Sequence, residues 1–302
     1  MVIFAFPGYD SLASQLETAG HRGEFNVGRF ENGEISVRVL TEVRHDHCVL
    51  LGSLTPPHEQ LLSFLLLAHT LKKEGCHKIS ALLPYLAYTR QDKDKRGESL
   101  AASWIGALLS ASGIDEVLTV DLHSQRDQQL FPIPLISSFP TELFASAIRR
   151  FGLTDATVVA PDNGAIPRCK DVNEALGRPA AAIPYFEKVR DETGIKHTRL
   201  FGIVGRRALI IDDMLDTGGT LISACKQLVE AGTREIFIVI THGLFTGTHW
   251  KRLWSLNVQH IFCTDTIPAS PAIREEQRIT ILPIREMLRE QLSGLQLIAA
   301  KQ

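Results

Sequence analysis

The 302-residue sequence predicts an α/β protein of two similar tandem domains, each a largely parallel sheet flanked by helices. Three observations predict it. Short β-rich apolar runs recur at Cys48–Leu51, Ile79–Leu83, Val117–Val120, Thr157–Ala160, Ala208–Ile211, Ile236–Ile240 and Ile261–Thr264. Runs of that length and composition read as strands covered on both faces. Between most of them lie helix-like stretches that stop near glycine, such as Glu59–Glu74 before Gly75 and Leu221–Glu230 before Gly232. Third, the segments Cys48–Tyr88 and Ala208–Phe245 share one order: strand, polar turn, helix, glycine, charged pair, strand. The boundary is expected at 140/141, giving domains 1–140 and 141–302, with the C-terminal end of the chain packing back on the first.

Apolar content of 44% and charged content of 22% supply core material for two domains. A formal net charge of −2 lacks the basic excess of duplex-binding proteins, so no nucleic-acid partner is expected. The opening MVIFAFPGYD has neither the basic region nor the long apolar run of a signal peptide. The apolar stretch around Leu61 to Leu71 is broken by Ser63 and His69 and is too short for a bilayer, so no membrane partner is expected. Five scattered cysteines (Cys48, Cys76, Cys169, Cys225, Cys263) form no CxxC pair and suit reduced, buried thiols. A soluble, cytoplasmic protein is expected.

The densest chemistry lies in ALIIDDMLDTGGTL, residues 208–221. A strand ending at Ile211 would deliver the following turn to the carboxyl edge of a parallel sheet, where α/β folds hold ligands. Thr217, Gly218, Gly219 and Thr220 would then form a tight loop whose N–H groups, with a helix N-terminus, face an anion. Glycine lets the backbone approach closely, and the threonines add hydroxyl donors. Asp212 and Asp213 can accept hydrogen bonds from the vicinal hydroxyls of a sugar, and Asp216 belongs to the same acidic turn. A merely capped helix needs one Asp or Thr. Residues 212–220 hold three aspartates, two glycines and two threonines.

LIIDDMLDTGGT resembles the phosphoribosyl-binding signature of the type I phosphoribosyltransferase fold. Further stretches narrow the resemblance to ribose-phosphate diphosphokinases, which make phosphoribosyl pyrophosphate (PRPP). RFENGEISVRV (29–39) resembles their adenine-side segment, LLPYLAYTRQDKDK (82–95) their ATP loop and VLTVDLHS (117–124) their metal-site turn. VAPDNGAIPR (159–168) resembles the pyrophosphate loop, FEKVR (186–190) the catalytic Lys-x-Arg segment and CTDTIP (263–268) a late family marker. The matches run in order from residue 29 to residue 268. Two tandem phosphoribosyltransferase-like domains are implied, the first on the ATP side and the second on the ribose 5-phosphate side.

On its own, RFENGE reads as an Asn-Gly hairpin turn. The resemblance implies instead that Phe30 stacks on a purine while Asn32, Gly33 and Glu34 help to bind ATP. It also implies that this segment serves a neighbouring subunit, hence a homo-oligomer, dimer or hexamer. TRQDKDKRGES packs seven charges into eleven positions, as solvated loops do. Arg90 and Gln91 follow an apolar strand directly, and the resemblance assigns them to ATP; DKRGES departs from the common bacterial pattern. His123, behind Asp121, is structural by default, and the resemblance carries it to a magnesium or phosphate-side role. Magnesium favours oxygen, so contact through water or phosphate stands beside direct coordination. Asp162 is the acidic member of the pyrophosphate turn, with Arg168 its basic position and Ala165 replacing a family glycine. Lys188 and Arg190 match the catalytic lysine and second arginine, while Val189 replaces an intervening basic residue.

The resemblance implies transfer of the β,γ-diphosphoryl group of Mg-ATP to the C1 hydroxyl of ribose 5-phosphate, giving PRPP and AMP, with Mg2+ as cofactor. The implied alternatives are a non-catalytic regulatory relative and a base-specific phosphoribosyltransferase, which would share the acidic turn but consume PRPP.

Overall fold

The computed structural model describes residues 1–299 except 125, 179–181 and 192–193, with backbone alone for 188–191, 194–198 and 295–299. The chain divides into two compact units, 1–138 with 285–302, and 139–284.

In the first unit a six-stranded sheet has the order β2-β1-β5-β6-β7-β8. Its strands are β1 (Val2–Ala5), β2 (His21–Arg22), β5 (His47–Leu51), β6 (Lys78–Leu83), β7 (Glu116–Val120) and β8 (Leu135–Ser138), all parallel to their neighbours. β3 (Phe25–Arg29) and β4 (Ile35–Val39) form a separate antiparallel ribbon. Helices α1 (Asp10–Gln15), α2 (Glu59–Lys73), α3 (Ala101–Ala111) and α4 (Asp127–Leu130) occupy the connections. The last helix, α9 (Arg285–Ala299), belongs to this unit: Arg289 Nη2 donates to Gln15 O at 2.6 Å, and Gln291 Nε2 to Thr119 O at 3.1 Å.

In the second unit a five-stranded parallel sheet has the order β15-β14-β13-β12-β9. Its strands are β9 (Thr157–Val159), β12 (Arg207–Leu215), β13 (Glu235–Gly243), β14 (Val258–Thr264) and β15 (Ile279–Leu282). β10 (Tyr185–Asp191) and β11 (Gly194–Phe201) form the antiparallel ribbon here. The helices are α5 (Thr141–Arg150), α6 (Ile166–Ala175), α7 (Gly219–Glu230) and α8 (Pro271–Arg274). No described helix is long and apolar enough to cross a membrane.

The elements follow from their sequences. β1 and most of β5 and β6 are buried on both faces, which explains their unbroken apolar runs. α2 and α7 stop just before Gly75 (φ 88°) and Gly232 (φ 94°), left-handed positions that favour glycine. All five cysteines are free and buried, as expected.

Two expectations are corrected. The strand expected to end at Ile211 runs on to Leu215, so Asp212 and Asp213 are strand residues, and Asp212 lies beside Ile240 of β13. Leu215 is buried and extends the apolar alternation past the carboxylates. Nor do Arg90 and Gln91 follow a strand directly. β6 ends at Leu83, and Tyr85, Leu86 and Ala87 are buried in a turn that passes through Tyr88 at φ 69°. Apolar residues here cover the core without extending the strand.

Candidate functional site

The second unit gathers its chemistry at the carboxyl edge of its sheet. β12 ends at Leu215, Asp216 and Thr217 turn, and Gly218 at φ 87° heads the twelve-residue helix α7. A side chain could not replace Gly218: a Cβ there would lie 2.8 Å from Trp250 Cα. The carbonyls of Leu215, Asp216 and Thr217 are all taken by the segment Leu244–His249. Leu244 and Phe245 N–H donate to Leu215 O at 2.9 and 3.0 Å, and Thr246 N–H donates to Asp216 O at 3.2 Å. His249 Nδ1 contacts Thr217 O at 3.3 Å.

Asp213 is 5% exposed, while Asp212 and Asp216 are half-buried. Asp212 Oδ1 accepts the N–H of Asp213 at 3.0 Å. The Asp212 carboxyl is pushed well above the ordinary carboxylate range by burial and by its neighbours Asp213 and Asp162, with Arg168 opposing. This shared field brings Asp162, Arg168, Asp212 and Asp213 into one neighbourhood. Asp162 follows β9 and caps the 3-10 turn Asn163–Ala165, its Oδ1 accepting from Gly164 N at 2.9 Å and Ala165 N at 3.2 Å. Ala165 is 1% exposed and packs in the apolar core, so its methyl group is a packing feature.

Lys188 and Arg190 lie two apart on β10, opposite His197 and Ile195 of β11, and so share a face of the ribbon. Their side chains lie outside the described residues. The ribbon starts next to the Asp162 turn, since Phe186 N–H donates to Ala160 O at 3.3 Å.

In the first unit RFENGE is indeed a hairpin tip. Phe30 N–H donates to Glu34 O and Gly33 N–H to Phe30 O, both at 2.9 Å; Gly33 has φ 90°. Asn32 Oδ1 accepts from Glu34 N at 3.2 Å and so tightens the turn. Phe30 is left 60% exposed beside exposed Glu34. Arg90 and Gln91 are exposed, and Gln91 Oε1 accepts from Ser99 Oγ at 2.6 Å. His123 is exposed two residues after Asp121, whose φ of 47° turns the chain at the end of β7.

Two features escaped the sequence reading. One is the segment Leu244–His249 that holds the glycine turn. The other is Asp127, fully buried, with neither carboxylate oxygen hydrogen-bonded among the described residues. Burial first, then Asp92, raises its pKa to about 7, with the nearby Ser124 backbone and His123 opposing.

Among the described residues no group of three or more His, Cys, Asp or Glu side chains is arranged to hold a metal. Asp162 already uses one oxygen as a cap. Magnesium that carries phosphate and water ligands asks only one or two carboxylates of a protein, and Asp162 is a carboxylate of that kind.

A family model described as the N-terminal domain of ribose phosphate pyrophosphokinase matches residues 1–113. One described as the phosphoribosyl synthetase-associated domain matches residues 181–296. A ribose-phosphate pyrophosphokinase of Chromobacterium violaceum is 34% identical, over 89% of this chain and 83% of the relative. Another, from Vibrio cholerae, is 30% identical over 96% and 94% of the two chains. The crystal structure of phosphoribosylpyrophosphate synthetase from Mycobacterium smegmatis matches with a TM-score of 0.87 at 28% identity, covering 97% of this chain and 98% of that one. With these relatives matched over most of their length, the chain belongs to the ribose-phosphate pyrophosphokinase family.

Proposed function

We propose that the protein transfers the β,γ-diphosphoryl group of Mg-ATP to the C1 hydroxyl of ribose 5-phosphate. The C1 oxygen attacks the β-phosphorus, the bond from that phosphorus to the α,β-bridging oxygen breaks, and the hydroxyl proton is lost. PRPP and AMP are the products. Little covalent chemistry is asked of the protein in such a transfer; positioning and charge neutralisation carry it.

The observation that carries this reading is the turn from β12 to α7. Carboxylates at Asp212 and Asp216 suit ribose hydroxyls. The N–H groups and hydroxyls of Thr217, Gly218, Gly219 and Thr220 suit the 5-phosphate. Asp213, almost wholly buried, supports the turn from the strand and adds charge to it. On the ATP side, Phe30 offers an exposed ring for the adenine, with Asn32, Gly33 and Glu34 shaping the tip around it. Arg90 and Gln91 extend the ATP surface. Lys188 and Arg190 stabilise negative charge on the transferring oxygens and the leaving phosphate.

In the second unit Asp162 would offer magnesium its carboxylate; in the first, His123 would act on the ATP side through water or a phosphate oxygen. The ion supplies neutralisation of phosphate charge when bound. The protein acts in the cytoplasm as a homo-oligomer, dimer or hexamer, in which the exposed hairpin tip serves a neighbouring subunit. Sedimentation that shows a monomer at assay concentrations removes this last element. Phosphorus NMR of the purified protein with ribose 5-phosphate and Mg-ATP tests the whole reading. AMP and PRPP in equal amounts are expected. ADP with a monophosphorylated sugar product, turnover only with PRPP and a free base, or no turnover at all contradicts it; the last outcome favours the regulatory relative.

A further inference from the structure

The glycine turn is held from one side, and the hold extends to a histidine outside the acidic motif. In a trans peptide the C=O and the following N–H point in opposite directions within one plane. Pinning Leu215 O, Asp216 O and Thr217 O on the Leu244–His249 side therefore directs the N–H groups of Asp216, Thr217 and Gly218 the other way. The first two peptides are pinned by backbone donors. The third, Thr217–Gly218, is pinned by a side chain alone among the described contacts, and it precedes the one residue of the turn with a left-handed backbone. A peptide next to glycine flips at little steric cost, so this is where the turn can lose its form.

The tautomer of His249 follows from its partners. Arg252 Nη1 lies 3.2 Å from Nε2, and a guanidinium only donates. Nε2 is then the acceptor, the ring proton sits on Nδ1, and Nδ1 donates to Thr217 O at 3.3 Å. His249 and Arg252 both lie on the 3-10 helix His249–Ser255, whose Trp250 is 3% exposed, stacks edgewise on Phe245 at 5.0 Å and abuts Gly218. The donor is thus carried by a packed element although the imidazole itself is exposed.

We propose that His249, oriented by Arg252, is a positioning residue for the sugar-phosphate: it fixes the Thr217–Gly218 peptide so that the Gly218 N–H faces the 5-phosphate. This rests on the ribose 5-phosphate reading of the turn. His249 touches no substrate; it acts through the peptide it holds.

Calorimetric titration of ribose 5-phosphate into wild type, His249→Ala and His249→Asn tests it, with ATP titrations and melting curves alongside. An asparagine amide nitrogen can occupy the place of Nδ1 and restore the donor. Loss of one neutral hydrogen bond predicts ribose 5-phosphate affinity about three- to tenfold weaker in His249→Ala. Affinity in His249→Asn should return to within about twofold of wild type. ATP affinity and melting temperature should not move, and KM for ribose 5-phosphate should rise with kcat nearly constant. Equal sugar-phosphate affinity in wild type and His249→Ala overturns the inference and leaves the site reading standing. So does an alanine variant weakened equally toward ATP and melting low, which marks a structural role. Wild type that binds no ribose 5-phosphate overturns the site reading, and this inference with it.

Discussion

The two units are built to one plan and differ at their edges. β1, β5, β6, β7 and β8 in the first follow the same spatial order as β9, β12, β13, β14 and β15 in the second. In each, an antiparallel ribbon is inserted between the first and second strands of that series: β3–β4 in one, β10–β11 in the other. The ribbons carry different chemistry. The tip of β3–β4 presents an exposed phenylalanine, while β10 carries the lysine and arginine proposed for catalysis. The turns after β5 and β12 differ as much. Gly52–His58 runs through two prolines, whereas Asp216–Gly218 leads through a left-handed glycine into α7. One scaffold thus tolerates unrelated ligand chemistry because sheet stability resides in buried strands and ligand chemistry in the turns and ribbons beyond them.

The sharpest way to break the comparison is at the second ribbon. Lys188→Ala or Arg190→Ala should lower kcat by about two to three decades, as loss of one oxyanion donor does. KM for both substrates should move much less, because the ground-state contacts proposed for them lie elsewhere. Steady-state kinetics showing near-normal kcat in Lys188→Ala removes that residue from the mechanism.

At the acidic turn the expected effect is on binding. Asp212→Asn with Asp216→Asn should weaken ribose 5-phosphate by about one to two decades in all, since each carboxyl gives up a bond to a sugar hydroxyl. Asp212 adds a stability signature. Its raised pKa means that the folded state holds the proton more tightly than the unfolded one, so stability falls as pH climbs through that range. Asp212→Asn should therefore melt at or above wild type at neutral pH. Scanning calorimetry showing a clear drop, or titration showing unchanged affinity, counts against this account of the turn.

The first ribbon should show a smaller, substrate-selective change. Phe30→Ala should weaken ATP about tenfold, near the low end of base–aromatic stacking energies, and leave ribose 5-phosphate binding alone. A loss shared by both substrates would place Phe30 in assembly and not in adenine contact.

The smallest expected effect is at Asp127. Burial raises its pKa to about 7 against an ordinary value near 3.8, so its stability contribution declines as pH rises from about 4 toward 7. Asp127→Asn should flatten the pH dependence of the melting temperature over that interval. Parallel curves for the two proteins would show that the folded carboxylate ionises as it does in the unfolded chain, so that burial does not hold its proton.

The sequence disclosed what periodicity and composition encode. Seven strands, the helix ends at Gly75 and Gly232, and the Asn-Gly hairpin were legible, since each rests on local preference. The end of β12 was not, because carboxylates normally end a strand and here sit inside one. The distance from β6 to Arg90 was hidden by Tyr85–Ala87, whose apolar side chains look alike in a strand and in a core-covering turn. The Leu244–His249 hold on the glycine turn left no trace, for most of its bonds run between backbone groups distant in sequence. Asp127 carries no sequence signal, since only packing reveals its burial.

One measurement goes straight to the central claim that the C1 oxygen attacks the β-phosphorus. Ribose 5-phosphate carrying 18O in its C1 hydroxyl is turned over with Mg-ATP, and both products are read by mass spectrometry. The account predicts the label in the oxygen that bridges C1 and the diphosphate of PRPP, and unlabelled AMP. Label lost from the sugar product, or found in the nucleotide, would contradict it.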